Sequence, residues 1–226
     1  MSMTPTEPRQ TPTPPRIVAV SGIVFSTLYI ASLLLLRLAV PADPTDPGAW
    51  LADPNFRAWV GIALNLLPFT GIAFLWFMGV LRNRIGLLED RFFATVFLGS
   101  GLLFVAMLFT TAALSRGLLD NFGSGAGLPA QSDAYRLGRG MAHALMNTFG
   151  MRMAAVFMFV TSTIGLRTAV LSRWVSFVGF ALGLVLLLVI TDFAWIALLF
   201  PSWVLLVSTW ILIADFRREP RGRRRP

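Results

Sequence analysis

The charges of this chain fall in short clusters, separated by apolar stretches of about 20 residues, the length a helix needs to cross ~30 Å of hydrocarbon. No other feature limits the fold so strongly. Inside a bilayer the backbone must satisfy its own N–H and C=O groups, and helix-length apolar runs do so as α-helices. Only 13% of the 226 residues are charged, against roughly 25% in a soluble domain. The expected fold is all-α, a polytopic transmembrane helical bundle.

Six spans are expected, at about 17–40, 58–81, 92–115, 141–166, 174–191 and 196–216. Residues 1–16, "MSMTPTEPRQTPTPPR", are rich in proline and threonine and hold too little apolar surface to bury a core. The first apolar run carries "VPA" at 40–42, a plausible cleavage site. It is nevertheless much longer than the ~7–15 residues of a signal-peptide core, so it is read as a retained helix. Arg37 is then expected to snorkel to the interface. Segments 41–57 and 116–140 are read as loops, with Ser132 or Asp133 available to cap the fourth helix early. The run "NFGSGAGLPAQSD" has no strand before it and no Lys-Ser/Thr after it, so it is not a phosphate cradle. The turn between the last two spans is placed at Thr191–Trp195, because a turn at Pro201 would leave the last helix short.

Arginine counts set the orientation. With both termini in the cytoplasm, thirteen arginines lie inside, namely Arg9, Arg16, Arg82, Arg84, Arg91, Arg167, Arg173 and the six of the tail. Four lie outside: Arg57, Arg116, Arg136 and Arg139. All 19 of the lysine-or-arginine positions are arginine and none is lysine, which suggests a high-GC bacterial genome and a place in the bacterial inner membrane. The tail 217–226, with Arg217, Arg218, Arg221, Arg223, Arg224 and Arg225, follows an apolar helix. It reads as a polybasic segment facing anionic lipid head groups, not as a nucleic-acid patch. The bilayer is the first expected partner; a second copy of the chain or another membrane protein is the second.

The chain has no cysteine and a single histidine. Disulfides, thiolate metal sites and bis-histidine haem ligation within one chain are thereby excluded. No metal or cofactor is expected.

The candidate site residues are Arg152, Asp192, His143, Asn147 and Asn65. Arg152 lies deep in the fourth span, where a permanent charge costs from ~2.5 to over 10 kcal/mol unless relieved. Asp192 is its expected partner, supported by Asn65 and by the Leu64 carbonyl that Pro68 frees. His143 and Asn147, four apart, share a helix face that Arg136 and Arg139 continue outward. Nine residues separate His143 from Arg152, which in a regular α-helix puts them about 180° apart. Two readings of these residues stand side by side: an outward-opening pocket for an anion or small polar ligand, or an ion pair with hydrogen bonds fixing helix registry. Gly179-x-x-x-Gly183, with Ser176 a turn earlier, is a small-residue face for close helix contact.

His143-x-x-x-Asn147 resembles the His-x-x-x-Asn element of six-helix rhomboid intramembrane proteases. Their Gly-x-Ser-Gly nucleophile is here "LGSG" (98–101), with leucine first and on the wrong side of the histidine helix, and the last helix holds no histidine. A serine without a base is not activated, so no catalytic residue is assigned. A broader likeness rests on "LSRWVSFVGFALG" (171–183) and "LFPSWVLLVSTWIL" (199–212). In layout and in aromatic and proline placement the chain resembles a widespread bacterial family of small six-span membrane proteins of unknown function. That resemblance implies topology and no activity. The function expected is non-enzymatic: small-ligand binding or permeation, or membership of a membrane complex. An intramembrane enzyme using His143 as base is the alternative.

Overall fold

A computed structural model of the chain describes residues 15–41, 48–85, 91–123, 132–168, 171–188 and 195–218. Its helices are α1 (Pro15–Ala39), α2 (Pro54–Ile85), α3 (Arg91–Phe122), α4 (Asp133–His143), α5 (Met151–Thr168), α6 (Arg173–Leu188) and α7 (Leu199–Arg218). A π-helical segment, Ala144–Gly150, joins α4 to α5, so Asp133–Thr168 is one continuous rod. No strand occurs among the described residues. Among the described residues, five helices are long and apolar enough to cross a membrane: Ile17–Ala39, Pro54–Asn83, Arg91–Phe122, Asp133–Thr168 and Ile196–Phe216. The sixth, α6, is apolar but shorter, with 16 residues.

Several helices outrun their expected ends, and local chemistry explains each. α2 begins at Pro54 and not near residue 58. The Asp53 carboxylate accepts the Asn55 N–H at 2.8 Å, and Pro54 occupies the first helical position, where its missing N–H is not needed. α3 continues to Phe122, through residues read as loop. There Arg116 and Asp120 pair at 3.0 Å across one turn, and the Asn121 amide donates to the Gly117 carbonyl at 2.8 Å. α4 starts at Asp133 because the Ser132 hydroxyl accepts the Tyr135 N–H, as the capping reading expects. Pro201 stands in the first turn of α7, where proline is tolerated.

The centre of the bundle is aromatic. Phe25 and Tyr29 of α1, Phe74 of α2, Phe104 of α3, Phe157 of α5 and Phe200 of α7 are all buried. Phe74 is the hub, with ring centroids 4.9 Å from Phe25, 5.3 Å from Phe104, 5.1 Å from Phe157 and 5.6 Å from Phe200. Most of these pairs are tilted or edge-on, the arrangement the ring quadrupole favours. α6 is held differently. A Cβ on Gly179 would run into the Ser162 hydroxyl and the Trp203 indole, and one on Gly183 would touch the Ala155 carbonyl. The small-residue face thus brings the α6 backbone against α5, with α7 close by. Gly22 of α1 lies against Ser208 of α7, so the first and last helices run alongside each other.

Lipid is as apolar as a protein core, so a bundle of this kind is held by packing more than by hydrophobic transfer. Phe74→Ala is expected to lower stability by about 3 kcal/mol, read from denaturing-detergent unfolding followed by circular dichroism. Phe69→Ala, on the same helix but 62% exposed, is expected to change it by less than about 0.5 kcal/mol.

Candidate functional site

Above the aromatic cluster, toward the α1–α2 connection, lies a cavity of about 210 Å³. α1 contributes Leu33, Leu36, Arg37 and Val40 to its wall; α3 contributes Thr111, Ser115 and Leu118. The rod adds Tyr135, Arg139, Ala142, His143, Met146 and Asn147, and the 3-10 turn Ala49–Ala52 adds Trp50. Met146 of the lining accepts from the Tyr29 hydroxyl at 4.0 Å.

Tyr135 organises the outer rim. Its ring is buried, and its hydroxyl accepts from the Trp50 indole N–H at 3.2 Å and from the Arg139 guanidinium at 3.1 Å. Arg139 also donates to the Pro41 carbonyl at 2.9 Å, tying the end of α1 to α4. Arg57 holds the other side of the 3-10 turn through the Leu51 and Ala52 carbonyls, at 2.6 and 3.2 Å. Gly48 makes the turn possible. Its φ of 85° is left-handed, and a Cβ there would sit 2.9 Å from the Tyr135 ring. Trp50 is thereby fixed over the cavity.

Arg37, Arg139 and His143 all face the cavity, and no carboxylate is among its described lining residues. Arg37 is half-buried and makes no hydrogen bond or ion pair with any described residue. The Thr111 hydroxyl on the same wall is buried and likewise without a partner.

His143 and Asn147 do come together, on one wall of this cavity. Arg152 is half-buried but does not line it; its guanidinium donates to the Thr148 carbonyl at 2.7 Å. Asn65 lies on the exposed surface of α2 and does not line the cavity either. Asp192 falls outside the described residues, and so does the expected pairing with Arg152.

The π segment changes one geometric expectation. The Met151 N–H bonds the Met146 carbonyl, five residues back, so one residue is absorbed relative to an α-helix. His143 and Arg152 are then about 80° apart around the axis, not about 180°. Arg152 donates to Thr148, inside this segment, which gives the charge a local acceptor where the bonding pattern changes.

Sequence reasoning did not put Arg37, Tyr135 or Trp50 in the site. Arg37 was expected to snorkel to the interface; here it borders the cavity. The available signal was Gly-x-Trp at 48–50 facing Tyr-x-x-x-Arg at 135–139, aromatic and cationic residues gathered at one end of the spans. Because Gly48 carries both the left-handed turn and the contact with Tyr135, Gly48→Ala is expected to cost about 1–2 kcal/mol. Gly79→Ala, where a Cβ would meet nothing within 4 Å, should be neutral or stabilising by up to ~1 kcal/mol. Parallel thermal unfolding of the two variants checks both.

Compared with known proteins, the chain matches no family model, no curated protein and no solved structure.

Proposed function

We propose that this chain is a non-enzymatic, six-span protein of the bacterial inner membrane that binds a small anionic group in the cavity beneath Trp50. The observation that carries the reading is Arg37: a half-buried cation, unpaired among the described residues, on a wall that Arg139 and His143 share and no described carboxylate joins. A charge so placed is expensive in low dielectric, and an anion relieves it. The buried rings beneath, with Phe74 at their centre, favour binding over permeation.

The six-span count draws support from the packing of Gly22 against Ser208. With α1 and α7 packed side by side there, the start of α1 and the end of α7 are read as lying on one side of the membrane, which favours an even number of crossings with α6 as the short one. The arginine excess then makes that side cytoplasmic. The chain has no cysteine, so introduced thiols report topology directly. In intact cells an impermeant maleimide should label Asn121→Cys and spare Asn83→Cys; the opposite pattern inverts the orientation.

For the anion site the test is thermal unfolding of the full chain in phosphatidylcholine nanodiscs with butyl phosphate. Saturable stabilisation of the wild type by several degrees, absent with butanol and lost in Arg37→Gln, is the expected result. Equal responses to butyl phosphate and butanol, or an unchanged response in Arg37→Gln, would refute the reading.

A further inference from the structure

The cavity beneath Trp50 does not stand alone. A second, more open space of about 630 Å³ adjoins it, and Arg37, Val40, Pro41 and Trp50 belong to the walls of both. The outer space differs in kind from the inner one. Its remaining wall is almost wholly apolar, with Leu38, Phe56 and Trp195 prominent, and its polar groups are Arg37 and Asp53. The Asp53 carboxylate is already engaged as the cap of α2. Leu38 is 65% exposed and Trp195 47% exposed, at the end of α1 and just before α7, where the six-span reading expects the membrane interface. An interfacial tryptophan beside an exposed leucine marks the depth of lipid head groups and upper acyl chain.

A soluble anion needs no such approach. It would gain nothing from the apolar wall that adjoins the cation. For an amphiphile the same arrangement fits part by part. Resting on the reading of the inner cavity as an anion site, we propose that its ligand is a single-headed anionic amphiphile taken from the outer leaflet. Its phosphate or carboxylate head meets Arg37 at the junction of the two spaces. Its alkyl chain lies in the vestibule against Leu38, Phe56 and Trp195. The head supplies the energy, by neutralising a half-buried guanidinium. The chain supplies selection, since an apolar tail leaving lipid for an apolar wall gains only packing.

The experiment uses the full chain in phosphatidylcholine nanodiscs, with native mass spectrometry and thermal unfolding as readouts. The probes are dodecyl phosphate, butyl phosphate, inorganic phosphate and dodecanol. Dodecyl phosphate is expected to be retained at one molecule per chain and to raise the unfolding temperature, while inorganic phosphate at hundredfold excess and dodecanol do neither. Arg37→Gln should weaken dodecyl phosphate binding about tenfold or more, the size expected for losing a hydrogen bond to a charged group. Arg37→Lys, which keeps the charge, should stay within about threefold and so separates loss of charge from loss of fold. Trp195→Ala should weaken dodecyl phosphate and leave butyl phosphate unchanged.

If butyl or inorganic phosphate binds as tightly as dodecyl phosphate, the anion site stands and the amphiphile is overturned. If dodecanol is retained as well as dodecyl phosphate, the head contact at Arg37 is wrong and the proposal falls. If no phosphate of any length binds, the anion reading fails together with it.

Discussion

One ring, Phe74, touches the aromatic side chains of four other helices, and the arrangement of the bundle depends on that contact. Phe25 comes from α1, Phe104 from α3, Phe157 from α5 and Phe200 from α7, each ring within 6 Å of Phe74 by centroid. In water such a cluster would be stabilised chiefly by leaving solvent. In a bilayer that term is nearly absent, because lipid tails are apolar too. What remains is shape: tilted rings that interlock, together with small residues where backbones meet. Gly179 and Gly183 bring α6 onto α5 by the second means. The cluster fills the middle of the bundle, and the cavity that gathers Arg37, Arg139 and His143 lies to one side of it. The cavity begins there, at Tyr29 and Met146.

Charge placement follows from the same constraint. An arginine within a span must find an acceptor, a ligand or water. Arg152 finds the carbonyl of Thr148 in its own helix, next to a π turn whose five-back bonding alters the usual carbonyl pattern. Arg139 finds the Tyr135 hydroxyl and the Pro41 carbonyl, and in doing so fixes the outer end of α1. Arg37 has no such partner among the described residues. Arg152 is thus held by a local bond and Arg139 straps two helices together, while Arg37 is the cation on which the proposed anion site rests.

Much of the fold was legible in the sequence, because apolar length alone identifies spans and Ser132 announces its helix. The helix ends were harder. Asp53-Pro54 is a clear start signal, yet it lies inside a proline- and aspartate-rich stretch that reads as loop. Residues 116–122 are polar enough to look like a connection, but they continue α3 through one-turn pairs such as Arg116–Asp120. The site was legible only in part. His143 and Asn147 share a wall because four residues make one helical turn, a local rule. Their relation to Arg152 could not be computed locally, since a π turn shifts every residue after it and has no reliable sequence mark. Arg37 and Tyr135 meet the same cavity from positions about a hundred residues apart, which only tertiary packing can bring about. Asn65, chosen for its depth in the membrane, faces away from the cavity: depth says nothing about direction.

As proposed, the cationic cavity is a ligand site next to the aromatic core around Phe74. The most direct measurement is an experimental density map of the protein in native-lipid nanodiscs, resolved well enough to show ordered lipids. The prediction is elongated non-protein density bonded to the Arg37 guanidinium and running past Trp195, with closed rings around Phe74 beneath it. A protein carboxylate seated on Arg37, or an open water path through the Phe74 cluster, would contradict it.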